Sequence, residues 1–367
     1  MVKNNKLLLL IFSFFFFLLN LPTEVCAQGI TAFKDVRDRF YIFDNGVVRQ
    51  IEHLPPKEYA VGRNYVVYID NADHLKIYYN GTVQTIEQDR PHFFYATDFL
   101  MVYRRFNDIY ALYRNRIETV ARWVESDIVI TDSLIVFNDH LGFFQLFQYG
   151  ITNQLESWSV PFFDAKNNVV IYNDRNDFLK AVYRGNVMEL NTYGKPSSYG
   201  ISKNTVAYID YMDNFNVFHK GEITLLESFK PLTFSVGFDM VAYVNSQQNF
   251  NVFYNGEIYE LMQSRPSMMQ LEQNIMVYAD QSNHFNVFYN GESRTLEYYI
   301  PESFYIDRDM LVYKDLDNKL IGFINGEKKV LYNQNVTSYE LSNNVVMFKR
   351  IPHHLLVYFD GQVIQAF

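Results

Sequence analysis

The side chains best suited to chemistry come in columns. Asp35, Asp70, Asp139, Asp174, Asp210, Asp280 and Asp315 each stand two places after an aromatic residue. A carboxylate at a strand end starts a turn by accepting backbone N–H groups, and its recurrence at one position favours that role over catalysis. Asp315-Leu316-Asp317-Asn318 offers the oxygens of a calcium loop but lacks its glycine and its bidentate glutamate. His74, His284 and His354 share a second column, so they belong to different repeat units and do not converge. His353 and His354 are adjacent, and neighbours on a strand point to opposite faces, which is the wrong geometry for chelating one ion. Neither a G-x-S-x-G elbow nor a P-loop glycine pattern is present. The expectation is a protein that is not an enzyme, with no metal and no cofactor.

The columns arise from a repeat. Gly46, Gly81, Gly150, Gly185, Gly221, Gly256, Gly291, Gly326 and Gly361 recur every 34–36 residues, with Arg116 at the place where one glycine is skipped. Thirteen residues before each of these ten markers is an aromatic, from Phe33 and Tyr68 to Phe348, and six before each is a large apolar residue, from Phe40 to Leu355. The same phrase, FNVFYNGE, stands at 250–257 and at 285–292. A fixed period near 35 over ten units identifies an internal repeat that occupies almost the whole chain.

Each unit reads as strands. In the seventh, Met240–Val244 is a short apolar run and Phe250–Tyr254 leads into Asn255-Gly256, a dipeptide suited to the two positive φ angles of a type I′ hairpin. Glu257–Met262 is the return strand. Pro56, Pro91, Pro161, Pro196, Pro231, Pro266 and Pro301 follow the markers by ten or eleven residues. Proline cannot donate to a ladder, so this column marks where the chain leaves one sheet for the next. One further strand fits after it, Leu232–Val236 in this unit, closed by a turn at Gly237-Phe238-Asp239. The unit is a four-stranded antiparallel meander, and its alternating aromatics are expected to pack sheet on sheet. The first unit, beginning at Ile30, has no room for its first strand.

The amino terminus is of another kind. Lys3 and Lys6 precede an apolar run from Leu7 to Leu19, too short for a span of ~20 residues, and Val25-Cys26-Ala27-Gln28 offers a small residue for cleavage. Residues 1–27 are expected to be a secretory signal peptide and 28–367 the repeat domain. A lipid anchor at Cys26 is disfavoured, because Thr23 and Val25 stand where a lipoprotein signal has leucine and a small residue. Cys26 is the one cysteine, so the mature chain would have no disulfide or thiolate chemistry. The net charge of −9 becomes about −10 after cleavage, without a basic stripe, which makes nucleic acid and anionic membrane poor partners.

Val241-Ala242-Tyr243-Val244-Asn245 followed by Asn251-Val252-Phe253-Tyr254-Asn255-Gly256 resembles the blades of secreted bacterial β-propellers, although no WD or kelch signature is present. That resemblance implies an all-β β-propeller of ten four-stranded repeats, as one ring or two five-unit rings, with an open stacked array as the remaining arrangement. Asp132-Ser133-Leu134 resembles a short glycosylation motif of the Bacteroidetes. Proteins of that phylum exported by type IX secretion carry a C-terminal sorting domain, and here the tenth repeat runs to Phe367. The implied location is the periplasm, in soluble form. A narrower resemblance, in these general features, is to the plug-like subunit of the type IX translocon, which implies docking on an outer-membrane β-barrel. The other reading is a propeller that binds a glycan or small ligand in its channel. The unit that departs from the pattern gives the candidate partner surface: Tyr110, Tyr113, Arg114, Arg116, Trp123 and Trp158.

Overall fold

The computed structural model describes residues 29–114, 116–124, 127–351 and 354–366. The expected signal peptide, Cys26, Gln28 and His353 lie outside the described residues. Among the described residues ten antiparallel sheets follow one another along the chain, nine of four strands and the first of three. Blade 2 is typical, with an inner strand Glu58–Val61, a second Tyr65–Ile69, a third Leu75–Tyr79 and an outer Thr82–Glu87. In the seventh unit the strands are Thr233–Gly237, Met240–Val244, Phe250–Tyr254 and Glu257–Met262. Three of these match the sequence reading and the inner one is displaced by a single residue.

The turns follow from local chemistry. At Asn255-Gly256 φ is +49° and +97°, and at Asn290-Gly291 it is +51° and +81°, the paired positive values of a type I′ hairpin. In the turn between second and third strands, one carboxylate oxygen of Asp70 accepts the backbone N–H groups of Ala72 at 2.8 Å and His74 at 2.9 Å. Asp35, Asp139, Asp174, Asp210, Asp280 and Asp315 repeat this. Asp317 of the expected calcium-like run pairs instead with Lys319, at 3.1 Å. Each proline of the column lies between an outer strand and the next inner strand.

Packing between blades closes the ring. Both faces of a blade are covered, so the second strands read as unbroken apolar runs such as Tyr65–Ile69, buried at every position. Each neighbouring pair shares a core: Val169 and Ile171 of blade 5 meet Val206 and Phe218 of blade 6, and the other successive pairs do likewise. The tenth core joins Val357 and Phe359 of blade 10 to Phe33 and Phe43 of blade 1, with the Phe43 and Phe359 rings 5.5 Å apart. Blade 5 therefore continues into blade 6, and blade 10 meets blade 1. The architecture is one ten-bladed ring and not two five-unit rings, and among the described residues blades 10 and 1 share no strand.

The aromatic column also carries hydrogen bonds between blades. The hydroxyls of Tyr68, Tyr103, Tyr172 and Tyr313 donate to Glu52, Glu87, Glu156 and Glu297, each at the outer strand of the preceding blade, at 2.9, 2.8, 2.8 and 2.7 Å. Burial first, and then the neighbouring carboxylate, pushes these phenols well above their ordinary pKa. They stay protonated and serve as donors.

Candidate functional site

Strand alternation decides what gathers at the axis. In an antiparallel meander successive turns lie at alternate ends. The inner-to-second turns and the third-to-outer hairpins therefore share one face, here the hairpin face. The Asp turns and the proline connections occupy the opposite, loop face. Because inner strands surround the axis, the nine inner-to-second turns converge on it.

These turns are linked in a closed circuit. Tyr65 Oη donates to Thr97 O at 2.8 Å, Thr97 Oγ1 to Asp132 O at 3.1 Å, and Asn167 Nδ2 to Asp132 Oδ2 at 2.5 Å. Asn168 Nδ2 donates to Asn204 Oδ1 at 2.7 Å, Asn204 Nδ2 to Asp239 Oδ1 at 3.0 Å, and Phe238 N to Gln273 O at 2.7 Å. Asn274 Nδ2 reaches Asp309 Oδ1 at 2.6 Å, Arg308 Nη2 reaches Asn343 Oδ1 at 2.6 Å, and Asn343 Nδ2 reaches Gly62 O at 2.9 Å. The circuit runs from blade 2 to blade 10 and back to blade 2, passing over blade 1, where the described residues hold no inner strand. One chord crosses it: Arg308 of blade 9 bonds Asp98 Oδ1 of blade 3 at 2.7 Å.

The turn residues themselves keep no fixed type. In order they are Arg63, Asp98, Asp132, Asn167, Lys203, Phe238, Gln273, Arg308 and Asn343. All of them except Asn343 line an axial cavity of about 270 Å³, together with Phe99, Asp309 and Asn344 among others. Two of its cations lie against aromatic rings, Arg63 at 5.6 Å from Phe99 and Lys203 at 5.3 Å from Phe238. Burial raises the Asp98 carboxyl above the ordinary aspartate value, against the pull of Arg308. Asp239 goes the other way. Burial alone would raise it, but His219, Asn204 and Lys220 outweigh that and hold it at about 2. Behind the circuit, inner strands of blades 5 to 8 line a further cavity of about 570 Å³, where Tyr199 donates to Asp164 Oδ2 at 2.9 Å and is pushed up to about 12 by burial and that carboxylate.

The residues singled out from the sequence are distributed over the ring. Arg114, at φ +47° in the hairpin of blade 3, lines a cleft of about 330 Å³ with Arg63, Asp98 and Phe99, so it adjoins the axial cluster. Tyr113 packs beneath Gly150 of blade 4 and carries Arg114 over its ring at 5.2 Å, and Arg116 is exposed at the start of the outer strand. Tyr110 lies within the sheet, stacked on Tyr103 at 5.2 Å. Trp123, 62 % exposed, and Trp158 stand in connections on the loop face. The indole Nε1 of Trp158 is buried without an acceptor among the described residues. The six do not form one patch. The axial turn residues were missed, although one signal marks them: in a repeat this regular, theirs is a column with no fixed charge or size.

Fold and site together define an all-β, ten-bladed β-propeller whose axis is closed on one face by a polar turn circuit. The chain belongs to the 10-bladed beta propeller domain family, which matches residues 24–363. No curated protein matches it. Among solved structures it is similar to the computationally designed protein Ika8, at 14% identity over 82% of this chain and 95% of that chain, with a TM-score of 0.31. It is also similar to the tricorn protease, at 11% identity over 91% of this chain and 46% of that chain, with a TM-score of 0.31. A third is PorZ, a surface component of the type-IX secretion system of Porphyromonas gingivalis, at 9% identity over 93% and 59% of the two chains, with a TM-score of 0.29. Identities and scores this low say nothing of activity.

Proposed function

We propose that this protein is a non-catalytic scaffold, exported to the periplasm, whose hairpin face docks on another protein. The partner we assign is a large outer-membrane β-barrel of a type IX secretion translocon, whose periplasmic end the ring would cover. One observation carries the docking reading: cations, acids, amides and aromatics from nine blades converge on the axis of one face, where Phe99 is 54 % exposed. A repeat conserves what its fold needs, so a column that holds six residue types in nine units answers to something outside the fold. Mixed charge around exposed aromatic anchors suits a protein surface. The expected signal peptide and the acidic mature chain support the location and argue against binding to anionic lipid.

Affinity purification from envelope extracts tests it. The wild-type protein is expected to recover a large outer-membrane β-barrel, and a Phe99→Ala, Lys203→Glu double variant of unchanged thermal midpoint is expected to lose it. Recovery of the protein alone would overturn the proposal. The inner-strand cavity of about 570 Å³ supports a second reading, the binding of a small polar ligand such as an oligosaccharide. That reading requires a soluble ligand to raise the thermal midpoint.

A further inference from the structure

Neighbouring blades leave clefts between them on the hairpin face, and the charges of these clefts differ. Between blades 8 and 9, a cleft of about 370 Å³ carries Glu292 and Glu327 with Arg294, whose guanidinium is bonded to Glu292 and to Gly326 O. Between blades 9 and 10, one of about 380 Å³ carries Asp309 and Asp360 with Lys329, which pairs with Glu327 at 2.8 Å. The cleft of about 330 Å³ between blades 2 and 3 has the opposite balance. It holds two arginines, Arg63 and Arg114, and one acid, Asp98, which the Arg308 guanidinium already binds at 2.7 Å. Neither Arg63 nor Arg114 is hydrogen-bonded to a carboxylate among the described residues. Each lies instead over a ring, Phe99 at 5.6 Å and Tyr113 at 5.2 Å, which steadies the guanidinium and leaves its N–H groups free.

We infer that this cleft, which rests on docking through the hairpin face, receives the partner's anchor: an aromatic or long aliphatic side chain flanked by carboxylates. The floor suits the apolar part. Tyr65, Ile77 and Met101 are buried there and Tyr79 and Leu112 half-buried. The Tyr65 hydroxyl lies 2.8 Å from Thr97 O and 2.6 Å from Leu100 O, so its polar atom is taken up and its ring faces the cleft. Phe99 stands exposed at the mouth, where a bound side chain would cover it. A volume of about 330 Å³ is at the small end for a ligand pocket and suits one large side chain. The two guanidiniums suit the carboxylates, which they bind in a planar, two-pronged fashion. A basic anchor would instead bury both arginines without partners, so the cleft selects the sign of its occupant. Arg114 also opens the hairpin of the unit whose sequence departs from the repeat, where Asn45, Asn80, Asn255, Asn290 and Asn325 open theirs, so the irregular stretch and the cleft coincide.

Calorimetric titration of the purified protein with peptides capped at both ends tests this. A peptide with Asp-Phe-Glu at its centre is expected to bind, its Asp-Ala-Glu counterpart about tenfold more weakly, and its Lys-Phe-Lys counterpart not at all. Arg63 and Arg114 are exposed, so an Arg63→Glu, Arg114→Glu double variant should keep the thermal midpoint and reverse the preference, binding Lys-Phe-Lys in place of Asp-Phe-Glu. If that variant does not fold, the wild-type preference decides alone. Equal binding of Asp-Phe-Glu and Lys-Phe-Lys would overturn the proposal, as would no binding by any of the three, or a double variant that binds Asp-Phe-Glu as the wild type does. In purification from envelope extracts, the double variant should lose the β-barrel that the wild type recovers. Recovery by both would overturn the cleft as anchor and leave docking on the hairpin face standing. Recovery by neither would count against that docking, and the peptide preference would still decide the cleft.

Discussion

Asp239 shows how one side chain holds several turns in place. It accepts hydrogen bonds from Asn204 on the neighbouring turn and from His219 on the neighbouring hairpin, and its pKa of about 2 measures how strongly the folded state favours its charge. An unfolded aspartate titrates near ~3.9. The folded value is lower, so this stabilisation is present in full above that pH and is lost as pH falls toward about 2. Denaturant titrations should therefore find Asp239→Asn less stable than wild type at pH 7, with the gap closing between pH 4 and 2. A gap that persists unchanged at pH 2 would assign the loss to packing. The Asp turns were legible from the sequence because acceptor and donors lie within five residues, as in Asp70 to His74. Asp239 and its partners were not, since Asn204 stands a whole repeat away and bonds of that range leave no local pattern. Trp123 and Trp158 looked alike as rare residues in an irregular stretch, yet rarity does not tell exposed from half-buried.

At the scale of elements, strands and hairpins were readable because period-two alternation, Asn-Gly turns and prolines all act locally, and the inner strand of blade 7 was misplaced by one residue for a reason that is not local. Gly237 was assigned to a turn, whereas it ends the strand and passes within reach of the next blade. A Cβ there would lie 2.5 Å from Gln273 O, the carbonyl that accepts the Phe238 N–H in the axial circuit. Gly237→Ala should therefore force the two turns apart and cost ~1–3 kcal/mol in a denaturant midpoint. Gly256→Ala is a contrasting control. Its Cβ meets nothing within 4 Å, and the cost there is the φ of +97° alone, about 1 kcal/mol. If Gly237→Ala proved the milder of the two, close approach would not be what placed glycine at that position.

At the scale of the whole ring the ten junctions are not equivalent. Nine join blades that follow each other in the chain, so if one opens the connection holds the pair together and closure is fast. The junction of blades 1 and 10 has no such tether except the rest of the ring, and a long loop costs more entropy to close than a short one. Among the described residues it also joins a blade of three strands to one of four and shares no strand between them. Its strength rests on Phe43, Phe359 and their neighbours, with Asn343 binding Ile30 O at one end. Amide exchange should then be fastest in the strands of blades 1 and 10 and slowest opposite them, in blades 5 and 6. Phe359→Ala should cost ~3–5 kcal/mol and speed exchange on both sides of this seam before it affects blade 5. A ring that opened at the seam would retain nine intact junctions as a linear array, and its stability would become a sum of neighbouring terms. Uniform exchange through all ten blades would instead make the untethered junction as strong as the tethered ones, and the ring would unfold as a single unit.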